Sequence, residues 1–160
     1  MITWLVQSEA GRALSTFSIS MLPVVELRAG LPYGITLGLD YPVALVAAVL
    51  GNMLPVPFII LFIRRIFLWL RKKSSLCERM VSSLEHKAHL KGKAVQKYSF
   101  IGLCALVAIP LPGTGAWTGA LVAAVLDMRL KRAIPAIFLG VCIAAAIMTA
   151  VTFGLIIVVK

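Results

Sequence analysis

Two residues, Glu26 and Arg28, are the only charged side chains in an otherwise apolar stretch, Phe17–Leu39. Charged groups at membrane depth are costly, and they face a pathway, a partner or each other. The pair could serve transport in two ways: Arg28 would hold an anionic group of a solute, and Glu26 would exchange a proton or bind a cation. The plainer alternative is an internal ion pair, or two side chains that reach the interface and do nothing else. A second candidate is Ile109–Gly119, read as Ile-Pro-Leu-Pro-Gly-Thr-Gly-Ala-Trp-Thr-Gly. Pro110, Pro112, Gly113 and Gly115 break a helix there. A helical arm beginning near Gly113 would offer unpaired N–H groups to an anion. Pro112, Gly113, Thr114 and Gly115 are therefore candidate substrate contacts, against the alternative of a tight bend used for packing. Asn52, beside Gly51, would line the same cavity or bridge two helices.

No other chemistry stands out. There is no Gly-x-Ser-x-Gly, no phosphate-binding Gly-Lys loop and no His-Glu-x-x-His, so no catalytic residue or cofactor is expected. His86 and His89 share a face of a basic stretch, which is weak spacing for a metal, and none is expected. Cys77, Cys104 and Cys142 are odd in number and far apart, the pattern of packing residues.

The elements that hold these residues are membrane elements. Hydrophobic residues make up 61% of the 160 and charged residues 14%, and mean hydropathy is +0.99. That composition predicts a single all-α integral membrane domain. A basic leader and a small-residue cleavage site are missing, so the apolar segments are expected to act as their own address in the cell membrane. Met1–Thr16 reads as a short interfacial helix. Phe17–Leu39 and the uncharged Ser99–Leu126 read as two broken segments. Such broken backbone is tolerated at membrane depth only where protein buries it or a cavity receives it. Val43–Leu70 and Ala133–Val159 read as spanning helices, the first kinked near Gly51, Asn52, Pro55 and Pro57. Trp69 and Trp117 have the character of interfacial anchors.

Between the halves, Arg64–Lys97 carries most of the basic charge, with only Glu78 and Glu85 opposing it. Leu76, Met80, Leu84 and Ala88 recur every fourth residue, so a basic amphipathic linker helix over 71–98 is expected to lie on anionic headgroups. Membrane lipid explains this charge more simply than nucleic acid does.

A repeat is visible: Pro23 and Asp40 are spaced as Pro110 and Asp127 are, and a spanning helix follows each Asp. Repeat 1 is read over about 17–70 and repeat 2 over about 99–160. If both broken segments crossed the membrane, Arg129, Lys131 and Arg132 would fall on the side opposite Arg64–Lys97. If both are re-entrant, all these basic residues face the cytoplasm, with Asp40 and both termini outside. The predicted fold is therefore two inverted repeats, each a re-entrant helical hairpin followed by a transmembrane helix, an arrangement used by transporters.

Pro23–Gly34, Gly51–Pro57 and Ile109–Gly119 together resemble the small multidrug export protein family. The resemblance covers nearly the whole chain and implies efflux. More distantly, the pattern is similar to the DedA superfamily, which implies movement of a polyprenyl phosphate or another lipid. There Glu26 would match an acidic residue of the first re-entrant segment, Pro112-Gly113 the Pro-Gly of the second, and Arg129, Lys131 and Arg132 a basic turn. The arginines that flank that Pro-Gly in DedA members are Ile109 and Gly115 here. The expectation is a secondary transporter of a small amphipathic or anionic solute, coupled to a proton or another cation and working as a homo-oligomer. The rival readings are a DedA-like lipid translocase and a membrane scaffold that transports nothing.

Overall fold

The computed structural model describes residues 8–73, 79, 82–83, 86–87, 100–111 and 114–159. Among them every regular element is helical. In chain order these are α1 (Glu9–Ser20), α2 (Glu26–Thr36), α3 (Tyr41–Met53), α4 (Pro55–Lys73), helical residues 100–108 (α5), α6 (Ala116–Val125) and α7 (Leu130–Val159). Most of the amphipathic linker, including Leu76, Met80, Leu84, Ala88 and His89, lies outside the described residues. Arg79, His86 and Lys87 are helical and exposed.

The first broken segment begins at Glu9, not at Phe17, so the expected interfacial helix is part of it. Ser8 caps α1 by accepting the Gly11 N–H at 3.0 Å, and Arg12, a charge inside this arm, is used locally. Its guanidinium donates to the carbonyls of Leu37 and Gly38, just past the end of α2, at 2.9 and 3.1 Å. At the other end of the pair Gly30 faces Ser20, and midway Gly34 faces Thr16. The two arms are thus antiparallel, joined by the turn 21–25. With 12 and 11 residues, each arm is about 17 Å long, roughly half the hydrocarbon thickness of a bilayer.

Tyr41–Ile63 and Leu130–Gly154 are long and apolar enough to cross a membrane, and only 33% of each is buried inside the protein. Val46, Leu50, Phe58, Leu61, Phe138 and Leu139 are exposed along them. Apolar surface on that scale suits lipid, not water. The first of these helices is interrupted at Leu54, where Pro55 and Pro57 supply no N–H to the preceding turn. The Tyr41 hydroxyl lies 2.8 Å from Thr149 Oγ1, and its ring meets that of Phe153 edge-on at 5.5 Å. The start of one long helix therefore lies beside the far part of the other, and the two run antiparallel.

Small residues let the backbones approach. A Cβ on Gly51 would come within 2.2 Å of the Phe17 carbonyl oxygen, and one on Gly140 within 2.7 Å of the Cys104 carbonyl oxygen. Ala44, Ala48, Ala116, Ala120, Ala133 and Ala136 are fully buried around them, the composition expected where helices touch closely in lipid. α2 and α6 end in the same way, with the following residue left-handed: Gly38 at φ 79° and Asp127 at φ 54°. In each case the next N–H bonds five residues back, Leu39 to Gly34 at 3.1 Å and Met128 to Ala123 at 2.9 Å, which satisfies carbonyls at the helix end. Asp127 therefore occupies the place of Gly38. Asp40 instead precedes α3, so the match of Asp40 with Asp127 read from the sequence is offset. The reason is the breaks themselves: the second, 109–115, is longer than the first, 21–25.

Candidate functional site

Pro23 lies in a turn that keeps much of its own bonding. The Leu22 N–H donates to Ile19 O at 3.1 Å, and the Glu26 N–H to Leu22 O at 3.0 Å. Glu26 then opens α2 with φ at 50°, a left-handed conformation costing a non-glycine residue about 1–2 kcal/mol. Leu27 and Leu31, fully buried, pin the helix that follows. Strain held at one residue in this way invites a reason for it.

The reason lies across the molecule. Glu26 is 4% exposed, and its carboxylate sits on the first turn of α6. Oε1 accepts the Trp117 N–H at 3.2 Å, and the neighbouring Ala116 N–H favours the charge of the carboxylate. The start of a helix leaves such N–H groups unpaired, and a negative charge there is favourable. Gly115 makes room for it: with φ at 131°, a Cβ at this position would lie 1.9 Å from Glu26 Oε2. The helix start expected near Gly113 falls at Ala116, and its amides meet, in this conformation, the chain's own carboxylate.

Arg28 does the converse. It donates to the Leu111 carbonyl at 2.6 Å, the Ile109 carbonyl at 3.1 Å and Thr114 Oγ1 at 2.8 Å. These oxygens follow the end of α5, where carbonyls are left over and a cation is favourable. Thr114 Oγ1 lies 2.7 and 2.8 Å from the same two carbonyls, drawing the three oxygens together. The first broken segment therefore supplies a negative cap to one arm of the second and a positive cap to the other. Trp117 returns the contact, its indole N–H donating to Met21 O at 3.0 Å.

A cavity of about 470 Å³ opens between the two breaks, within the range of small-molecule sites. Glu26 and Arg28 form one wall, Leu111, Thr114 and Thr118 another, and Met148 of α7 contributes a third side. Of the residues singled out in the sequence, Glu26, Arg28, Thr114 and Gly115 come together. Pro112 and Gly113 lie outside the described residues. Asn52 is buried elsewhere, with Oδ1 lacking a hydrogen-bond partner. Met148 and the cross-link made by Trp117 were not legible in the sequence. Nothing in the apolar run of α7 marks Met148 as a cavity residue, and an indole looks the same whether it anchors to lipid or to a carbonyl.

No curated protein and no solved structure matches the chain. A family described as putative small multi-drug export protein matches residues 26–147. That span begins at Glu26 and includes Arg28, the second break, the first long apolar helix and residues 130–147 of the second, and the chain belongs to this family.

Proposed function

We propose that this chain is an ion-gradient-driven transporter of a small amphipathic solute, embedded in the cell membrane as two inverted repeats with re-entrant hairpins. The observation that carries the reading is the cavity between the breaks, with Glu26 and Arg28 in its wall and both bonded across it. Discontinuous helices meeting around a central site are where transporters place substrate and coupling ions.

The repeat reading is supported by matched contacts. Phe17 meets Gly51 as Cys104 meets Gly140, and Ser20 meets Gly30 as Val107 meets Gly119. The re-entrant topology is supported by the antiparallel long helices. Four consecutive spans would make these two helices parallel, whereas re-entrant hairpins make them antiparallel.

In this mechanism the reciprocal caps are the latch. Protonation of Glu26 would weaken its hold on Ala116 and Trp117, and a solute entering beside Arg28 would compete for that residue's partners. Either event frees one broken segment to move against the other. The test is uptake of candidate solutes into proteoliposomes, with and without a proton gradient. Glu26→Gln should leave solute binding in place and abolish the dependence of uptake on the gradient. Wild-type uptake by both Glu26→Gln and Arg28→Ala would move the site away from these residues, and wild-type uptake no greater than that of protein-free liposomes for every solute would favour a scaffold and end the transporter reading.

A further inference from the structure

The oxygens around Arg28 bear on the kind of solute. Two are main-chain carbonyls, Ile109 and Leu111, and the third is Thr114 Oγ1. All lie within 3.1 Å of the guanidinium. Each carbonyl also accepts one main-chain N–H, from Leu111 and Thr114 respectively, the Thr114 hydroxyl donates to one of the two, and the remaining lone-pair capacity is used on Arg28. Such a cluster has acceptors to offer a ligand and selects N–H donors carrying positive charge.

We propose that Ile109 O, Leu111 O and Thr114 Oγ1 form a cation subsite, filled by Arg28 in this conformation, and that the transported solute carries a guanidinium or primary ammonium group that takes Arg28's place. The inference rests on the cavity being the solute site. One feature favours a cation over an anion, and two more allow an amphipathic cation to take Arg28's place. The Ala116 and Trp117 amides that would receive an anion already hold Glu26, and that carboxylate would repel a second negative charge. Arg28 is only half-buried and stands in the wall of an open cavity, so it can withdraw toward water without stranding its charge. Pro23, Val24, Leu111 and Met148 give the cavity apolar surface for the rest of the solute, so an amphipathic cation fits both parts.

Removing Arg28 should turn the intramolecular occupant into a vacancy for a free ion. The experiment is thermal unfolding of the full-length Arg28→Ala protein in detergent, titrated with guanidinium at low, non-denaturing concentration. Potassium controls for ionic strength, and tetramethylammonium for a cation without N–H donors. Guanidinium alone should give a saturable rise of about 3 °C, absent in the wild type and lost when Thr114→Val is added. If Arg28→Ala does not fold, Arg28→Gln, which keeps amide donors, carries the same titration. A folded variant that responds equally to guanidinium and potassium overturns the proposal, as does stabilisation by acetate but not by guanidinium. Rescue by guanidinium without transport would leave the subsite standing and sink the transporter reading. Transport of an anion without rescue would sink the cation assignment alone.

Discussion

Glu26 caps a helix that begins far along the chain: its Oε1 receives the main-chain N–H of Trp117, 91 residues later, at 3.2 Å. The indole of the same Trp117 donates to Met21 O, at the other end of the first turn, at 3.0 Å. One residue of the second segment is therefore held by its backbone on one side of the first break and by its side chain on the other. A hinge between the segments cannot open without releasing both bonds.

Gly115→Ala should remove the first of them. Its Cβ would overlap Glu26 Oε2, and φ at 131° disfavours any side chain. The loss combines backbone strain with a charge-assisted hydrogen bond, about 3 kcal/mol together. Thermal unfolding in detergent measures it. An unchanged midpoint would mean that the carboxylate does not sit against Gly115.

Glu26→Gln and Glu26→Ala should separate capping from charge. Glutamine keeps an acceptor oxygen for the Trp117 N–H, so stability should fall by about 1 kcal/mol or less. Alanine leaves buried N–H groups unsatisfied and should cost about 2 kcal/mol or more. Equal stability of the two variants would show that the helix start draws no support from this position.

Close backbone contacts predict a further contrast among glycines. Gly51→Ala and Gly140→Ala push a methyl against the carbonyls of Phe17 and Cys104, which are main-chain atoms and cannot rotate away. Each should cost about 1–3 kcal/mol. Gly154→Ala meets nothing within 4 Å and should be neutral or slightly stabilising, because alanine favours the helix. Similar losses at all three positions would argue against the packing described.

Much of this was legible in the sequence, and physics explains what was not. The breaks were legible because Pro23, Pro110 and Gly115 leave the backbone few choices. Glu26 and Arg28 stood out because charge among apolar residues is rare. Their partners were hidden, since a carbonyl such as Leu111 O or an amide such as Trp117 N–H belongs to every residue type. The start of the first arm was misplaced for a related reason. Arg12 looks like a residue of the water interface until Leu37 and Gly38 are seen to present carbonyls to it. Asp40 and Asp127 shared a spacing without sharing a place, because the two breaks differ in length.

The membrane topology can be tested from both sides. The Tyr41–Thr149 contact places Asp40, one residue before α3, at the end of the bundle reached late in α7. Lys131, in the first turn of α7, lies at the opposite end, the one toward which Arg65 of α4 runs. Clustered basic residues face the cytoplasm, so Arg65, Arg129, Lys131 and Arg132 should be inside and Asp40 outside. Both positions are exposed. Asp40→Cys and Lys131→Cys would be made in a protein whose three native cysteines are replaced. An impermeant maleimide should label position 40 in intact cells and position 131 only in inverted vesicles. Labelling of both from one side would mean that an odd number of further crossings separates them, and the re-entrant reading of the second segment would fall.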